Sequence, residues 1–177
     1  MLTVIMECRN QEPELAQTLA GLVVGAVEGL VSDVIVLDHG SSDGSSRVAD
    51  AAGCRFHVDW DMKDIVRSAR GEWILLIEPG SRLHGRWIEE IHEYIALNKR
   101  PARFTVARPY RMPFYKRIVR SSPPLEQGFL LPKDQALTIA KSGTDLGTLA
   151  RGHKPKQLLT EMIPSWVARR GRALAGA

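Results

Sequence analysis

The chain has 177 residues, of which 44% are hydrophobic, so it is long enough for one domain with its own core. No segment supplies the ~20 apolar residues of a membrane-spanning helix, and the N-terminus lacks the features of a secretory signal, so we expect a cytoplasmic protein. The net charge of +4 hides a division, because residues 1–98 carry a net −8 and residues 99–177 a net +12.

Strand and helix signals alternate along the first half. Short apolar runs predict strands at residues 2–8, 34–38, 54–58 and 73–77. Helical spacing and turn residues predict helices at residues 12–30, 47–52, 62–70 and 86–98. Uninterrupted apolar strands between helices are typical of sheets buried on both faces. The pattern predicts an α/β protein with a doubly wound, mainly parallel sheet and helices on both faces.

The second half has weaker signals. They predict strands at residues 102–107, 114–119 and 127–131 and a short helix at residues 133–141. From residue 151 the chain is basic and interrupted by Gly and Pro, which predicts a tail. Its end, PSWVARRGRALAGA, is interpreted either as disordered or as a peripheral segment on an anionic membrane, with Trp166 and Val167 inward.

Three acidic residues, Glu7, Asp38 and Glu78, lie at or near the ends of predicted strands. Ligands of doubly wound sheets bind at the carboxyl ends of the strands, so we expect these acids to converge on a ligand site. In VIVLDHGSSDGS, Asp38 suits a contact with a ribose or base, and Asp43 suits a cap of the next helix. The same residues are also typical of an ordinary turn, and no GxGxxG or GxxxxGK[ST] phosphate motif is present.

Three segments resemble family 2 glycosyltransferases of the GT-A fold, and they occur in the family's order. They are TVIMECRNQEPELAQTLAGL, DVIVLDHGSSDGSSRVAD and ARGEWILLIEPGSRL. The resemblance covers residues 2–98 and implies a GT-A-like mixed sheet. It also implies a nucleotide-sugar domain over residues 1–150, divided into a nucleotide-binding half, 1–98, and an acceptor half, 99–150. The basic tail then occupies residues 151–177.

The resemblance implies a role for individual residues. The residues expected beside the nucleotide are Glu7, Arg9, Asn10, Asp38, Asp43 and Arg70. Glu78 matches the first position of the family's D-x-D metal motif, whereas Gly80 stands at the last position. A divalent cation, Mg²⁺ or Mn²⁺, would therefore lose a ligand. The alternative is a metal-independent site in which Arg82 or the basic segment 108–120 neutralises the diphosphate, although that segment also suits a solvated surface.

The family's general base has one match, Asp145, with Asp134 as a rival and a helix cap as the other interpretation of Asp145. The resemblance implies transfer of a sugar from a nucleotide-diphosphate sugar to a saccharide or lipid-linked acceptor in envelope or polysaccharide assembly. The alternative is a catalytically silent scaffold or regulator. The basic half also suits an anionic membrane surface, whereas no nucleic-acid-binding module is recognisable and nucleic acid is not the expected partner.

Overall fold

A computed structural model describes residues 1–111 and 123–175 of the chain. The strands are β1 (Leu2–Cys8), β2 (Val31–Asp38), β3 (Arg55–His57), β4 (Trp73–Leu76), β5 (Arg82–His84), β6 (Ala102–Val106), β7 (Phe129–Pro132) and β8 (Lys156–Ile163). The helices are α1 (Glu12–Val27), α2 (Ser45–Ala51), α3 (Met62–Ser68), α4 (Trp87–Leu97), α5 (Lys133–Ile139), α6 (Leu146–Ala150) and α7 (Ser165–Ala175).

One mixed sheet joins these strands in the order β3-β2-β1-β4-β7-β6-β8-β5. The strands β3, β2, β1 and β4 are parallel to one another, and β6 is parallel to β8. The strand β7 runs antiparallel to β4 and β6, and β5 runs antiparallel to β8. The expected mixed, mainly parallel α/β sheet is therefore confirmed.

The core has two layers, one on each face of the sheet. On one face, alternate residues of β1 such as Val4 and Met6 pack with Leu15 and Leu19 of α1 and Ile91 of α4. The other face packs against α3, α5 and α6, through residues that include Ile5, Ile74, Met62, Ala136 and Leu149. Because both faces are covered, the central strands are apolar at almost every position.

The strands and helices predicted in the first half are confirmed, with small shifts at their ends. The largest shifts are of three residues, since α1 ends at Val27 rather than at residue 30 and β2 begins at Val31 rather than at residue 34. Gly29 adopts φ +74°, a left-handed conformation that terminates a helix, and β2 begins directly afterwards at Val31.

The prediction of a tail from residue 151 was wrong, because this segment contributes β8 and α7. The strand β8 pairs with both β5 and β6, and its residues Leu158, Thr160 and Met162 are buried. The strand β5 was also missed. The strand predicted at residues 114–119 lies outside the described residues.

Helix α7 packs on the body of the protein through the face that had suggested a membrane contact. Trp166 Nε1 donates to Glu126 Oε1 at 3.1 Å, its ring meets that of Tyr110 edge-to-face, and Ala168 is buried. The disordered end is therefore corrected to a helix, and Trp166 is already in contact with protein. Among residues 1–111 and 123–175, no helix is long and apolar enough to cross a membrane.

Candidate nucleotide-sugar site

A cleft of about 340 Å³ opens at the carboxyl ends of β1 and β4. The chain turns from β1 toward β2 and β3 on one side, while β4 and β7 lie on the other, so the cleft is at the switch point of the sheet. Its lining residues are Glu7, Cys8, Arg9, Gln11, His39, Ile77, Glu78, Pro79, Leu125 and Arg169. Three residues expected at the ligand site, Glu7, Arg9 and Glu78, thus share one cleft.

Glu7 joins two parts of the chain. One carboxylate oxygen, Oε1, accepts a hydrogen bond of 2.8 Å from the backbone N–H of Leu146 at the start of α6. The other, Oε2, lies 3.3 Å from Nε2 of His39, whose ring packs edge-to-face on Trp60. The imidazole and the carboxylate therefore form a close pair that lines the cleft.

Glu78 faces α7 on the opposite wall. Its carboxylate accepts a hydrogen bond from Ser165 Oγ, and its Oε2 lies 3.8 Å from Nη1 of Arg169. About half of the Arg169 side chain is exposed. The glutamate that follows β4 and the arginine on α7 thus meet at the edge of the cleft.

The loops after β1 and β2 are tied together beside the cleft. Asn10 Oδ1 accepts from Ser42 N at 2.7 Å, and Asp43 Oδ2 accepts from Glu12 N at 3.0 Å. In return, Glu12 Oε2 accepts from Gly44 N at 2.9 Å. The residues Asn10 and Asp43 therefore hold the two loops in register.

Asp38 is buried and bonds within its own loop. Its Oδ2 accepts from the N–H groups of Gly40 at 3.0 Å and Ser41 at 2.9 Å, and its Oδ1 accepts from Ser41 Oγ. This carboxylate is not among the groups that line the cleft, whereas the adjacent His39 is. Asp38 shapes the turn that presents His39.

The carboxyl of Asp43 also stabilises the loop after β2. Its slight burial opposes ionisation, but hydrogen bonds from Ser45 Oγ and from the N–H groups of Glu12 and Ser45 favour the charged form. The net effect is a lowered pKa for Asp43. An ionised side chain at the start of α2 also interacts favourably with the helix dipole.

Asp145 caps α6. Its Oδ1 accepts from the N–H of Thr148 at 2.6 Å. Hydrogen bonding from the Thr148 side chain, followed by that from its N–H, lowers the pKa of Asp145. The structure places Asp145 next to Leu146, which donates to Glu7, but not among the cleft-lining residues. The rival, Asp134, lies in the first turn of α5. The geometry matches the cap interpretation of Asp145.

Two residues expected at the site lie elsewhere. Arg70 precedes β4 and is exposed at the amino-terminal edge of the sheet, where its N–H lies 3.5 Å from Asp33 Oδ2. Arg82 begins β5, the last strand of the sheet, and does not line the cleft. Of the basic segment 108–120, residues 112–120 lie outside the described part of the chain.

The position of the D-x-D motif has one carboxylate, that of Glu78, and little room for a second at Gly80. A Cβ on Gly80 would lie 3.0 Å from Ala168 Cβ and 3.0 Å from the carbonyl oxygen of Ser165, and Gly80 has φ +96°. The remaining acid, Glu78, is already engaged by Ser165 and Arg169. In residues 1–111 and 123–175, no three His, Cys, Asp or Glu side chains gather as a metal site.

Sequence reasoning did not place Arg169 at the site, and it left two interpretations of His39, as a residue that lines the same pocket as Asp38 or as an ordinary loop residue. Arg169 was placed in the tail, because α7 is rich in Arg and contains Gly171. One signal was available in the neighbouring strand, since the alternation of Leu158, Thr160 and Met162 is typical of a half-buried strand. A strand predicted at residues 156–163 would have placed the segment that follows it beside the sheet rather than in a tail.

Comparison with solved structures gives two kinds of similar protein. Glucosyl-3-phosphoglycerate synthase from Mycobacterium tuberculosis, in complex with Mn²⁺, UDP and glucosyl-3-phosphoglycerate, matches with TM-score 0.60 and 15% identity, over 93% of this chain and 71% of the synthase. A mannosyltransferase from Pyrobaculum calidifontis, in complex with GDP-Man and Mn²⁺, matches with TM-score 0.63 and 12% identity, over 89% of this chain and 54% of that one. No family profile and no curated protein sequence matches.

The chain has a GT-A-like fold. Both structural neighbours are glycosyltransferases that hold a nucleotide or nucleotide sugar with Mn²⁺. This chain has the same GT-A-like architecture, with an acid, Glu78, after β4 and a glycine two residues later. At 12–15% identity the likeness establishes the fold, and the residues of the cleft must supply the argument for activity.

Proposed function

We infer that this protein binds a nucleotide-diphosphate sugar in the cleft between β1 and β4 and transfers the sugar to an acceptor. The observation that supports this most is the position of Glu7, Arg9, His39, Glu78 and Arg169 around one cleft at the switch point of a GT-A-like sheet. Two arginines there suit a diphosphate, because guanidinium groups form paired hydrogen bonds with phosphate oxygens.

The reaction is a displacement at the anomeric carbon. The acceptor hydroxyl oxygen forms a bond to this carbon while the bond from the carbon to the diphosphate oxygen breaks. The nucleoside diphosphate leaves with the electron pair, and the hydroxyl proton passes to a base. Positive charge beside the diphosphate stabilises the leaving group as its negative charge develops.

His39 is the proposed proton acceptor. It lines the cleft, and its Nε2 lies 3.3 Å from Glu7 Oε2, so the carboxylate stabilises the imidazolium that forms. Asp145, which the family resemblance favoured, caps α6 instead, with its carboxylate bonded to Thr148. This assignment gives Asp145 an indirect part, since α6 begins with the N–H that orients Glu7.

The acceptor is proposed as a saccharide or a lipid-linked saccharide of envelope or polysaccharide assembly. The family resemblance supports a saccharide, and the synthase to which the fold is similar was solved with a sugar phosphate. The cleft is open, which suits an acceptor larger than the donor sugar.

Calorimetry with UDP, GDP and their glucose and mannose conjugates tests donor binding, and release of nucleoside diphosphate in the presence of oligosaccharide acceptors tests transfer. We expect one conjugate to bind and turn over. His39→Asn should lower turnover by about 10²- to 10⁴-fold, the usual contribution of general base catalysis, while Asp145→Asn stays near the unmodified protein. The proposal fails when no nucleotide binds, and the base assignment fails when Asp145→Asn has the larger effect.

A further inference from the structure

The C-terminal helix occupies the place where the D-x-D motif of the resembling family puts its last metal carboxylate. Gly80 stands at this position, and a Cβ there would lie 3.0 Å from both Ala168 Cβ and the Ser165 carbonyl oxygen. A carboxylate side chain at residue 80 would therefore compete with α7 for the same space. The absence of a side chain at Gly80 leaves room for α7. Together, Gly80 and α7 take the place of the second metal carboxylate.

Glu78, the remaining acid of the motif, binds the helix directly. Its carboxylate accepts from Ser165 Oγ in the first turn of α7, and the guanidinium of Arg169 lies one turn later, 3.8 Å from Oε2. In a metal-dependent site a divalent cation joins such a carboxylate to the diphosphate. Here a guanidinium cation stands beside the carboxylate and lines the same cleft.

Arg169 keeps donors for a ligand. At 3.8 Å its contact with Glu78 is an ion pair longer than a hydrogen bond, and the side chain is 47% exposed. A guanidinium carries five N–H groups in a planar fork that matches two oxygens of a phosphate. Arg9 lines the cleft as well and supplies a second positive charge.

The rest of α7 fixes Arg169 in this position. Arg172 Nη1 donates to Glu14 Oε2 at 3.2 Å, and Glu14 is almost completely buried in α1. At the other end of the helix, Trp166 donates to Glu126. The helix is thus attached on both sides of Arg169, so the guanidinium is held at the cleft before any ligand arrives.

We propose that Arg169 is the cation that binds the diphosphate of the donor in this cleft, in the role that a divalent metal has in the family that the sequence resembles. Glu78 positions Arg169, and Arg9 assists it. The inference rests on the proposed function for the identity of the donor, but its ligand class is simply a diphosphate. Binding of a diphosphate should therefore persist without metal and depend on Arg169.

Calorimetry with inorganic pyrophosphate, UDP and GDP tests this, each in EDTA and again with Mn²⁺. We expect pyrophosphate and one nucleotide to bind in EDTA, with little change on addition of Mn²⁺. Arg169→Gln should weaken binding by about tenfold to a hundredfold, the usual loss for a hydrogen bond to a charged group. Arg169→Lys should lie between, since it keeps the charge and loses the fork.

Arg170→Gln is the matched control, because Arg170 is the exposed neighbour on α7 and packs over the Trp166 ring. It removes the same charge, so equal losses in Arg169→Gln and Arg170→Gln would overturn the inference. Thermal unfolding followed by circular dichroism checks that the variants fold. Where Arg169→Gln does not fold, the binding measured with Arg169→Lys decides the test.

The outcomes separate the two proposals. Nucleotide binding that requires Mn²⁺ overturns the role of Arg169 and leaves the proposed function intact. Pyrophosphate binding that depends on Arg169, without binding of any nucleotide, supports the anion site and defeats the proposed function. Absence of binding by every probe defeats both.

Discussion

At the scale of single residues, the acids of this site divide by what they bond. Asp38, Asp43 and Asp145 accept hydrogen bonds from nearby N–H groups and build turns and helix starts. Glu7 and Glu78 also accept hydrogen bonds from the starts of helices, but in addition they face His39 and Arg169 in the cleft. The sequence pattern marks all five in the same way, as acids near strand or helix ends. Which of them faces solvent depends on the loop conformation, and a pattern of residue types does not specify that.

Asp145 gives a prediction at this scale. Asp145→Ala should lower the free energy of unfolding by about 1 kcal/mol at pH 7, because α6 loses its cap, while Asp145→Asn keeps an acceptor and loses less. The pKa of Asp145 is lower in the folded state, so its ionic contribution is complete above the unfolded value of about 3.9 and is lost as the pH falls through the folded value. Urea unfolding across this pH range measures both effects. An equal stability of Asp145→Ala and the unmodified protein at pH 7 would contradict the cap.

At the scale of elements, the first half was predictable because its strands and helices follow local rules. β1, β2 and β4 each contain a continuous apolar run, and Gly29 and Gly53 adopt positive φ at the turns after α1 and α2. The strand β8 and the helix α7 depend on partners far along the chain. β8 leaves Leu159 exposed, and four of the 11 residues of α7 are polar or charged. We therefore do not expect either segment to be stable alone. β8 forms because it pairs with β5 and β6, and α7 forms because it packs on Gly80 and bonds to Glu78.

The contact between Gly80 and α7 gives a prediction at this scale. Gly80→Ala should destabilise the protein more than Gly53→Ala, by about 1–3 kcal/mol, the usual cost of overpacking. Both glycines have positive φ, +96° and +70°, so both variants incur backbone strain, but a Cβ on Gly53 meets nothing within 4 Å. Urea unfolding of the two variants isolates the packing of α7.

A second change checks the same contact. Ala168→Gly removes one of the two atoms that would lie 3.0 Å from a Cβ on residue 80, so it should recover part of the stability lost in Gly80→Ala. Equal stability of Gly80→Ala and Gly53→Ala would show that α7 does not pack against residue 80 as described.

At the scale of the whole molecule, the division between an acidic first half and a basic second half is partly satisfied inside the fold. Arg172 of α7 pairs with Glu14 of α1, and Arg169 pairs with Glu78. The sequence indicated an anionic partner for the basic half, and the fold shows that two of its arginines first meet carboxylates of the acidic half. An ion pair at the rim of a cleft still attracts an anion, because the guanidinium has donors in excess of its one partner.

The positions of the site residues in the chain explain how much of the site could be predicted from the sequence. Glu7 and Glu78 were found because they lie at or near the ends of strands whose carboxyl ends meet at one edge, and Arg9 was found through the family resemblance. Arg169 could not be found from spacing, since it lies 91 positions after Glu78 and reaches it only through the pairing of β8. The cleft is therefore built from a local motif and a distant helix that completes it.

A crystal structure with UDP or GDP, grown in EDTA at a concentration that saturates binding in solution, tests this account most directly. We predict density for the diphosphate between β1 and β4, with its oxygens about 2.7–3.2 Å from the Arg169 guanidinium and no metal ion on Glu78. A nucleotide bound away from this cleft, or a diphosphate that leaves Arg169 uncontacted, would contradict it.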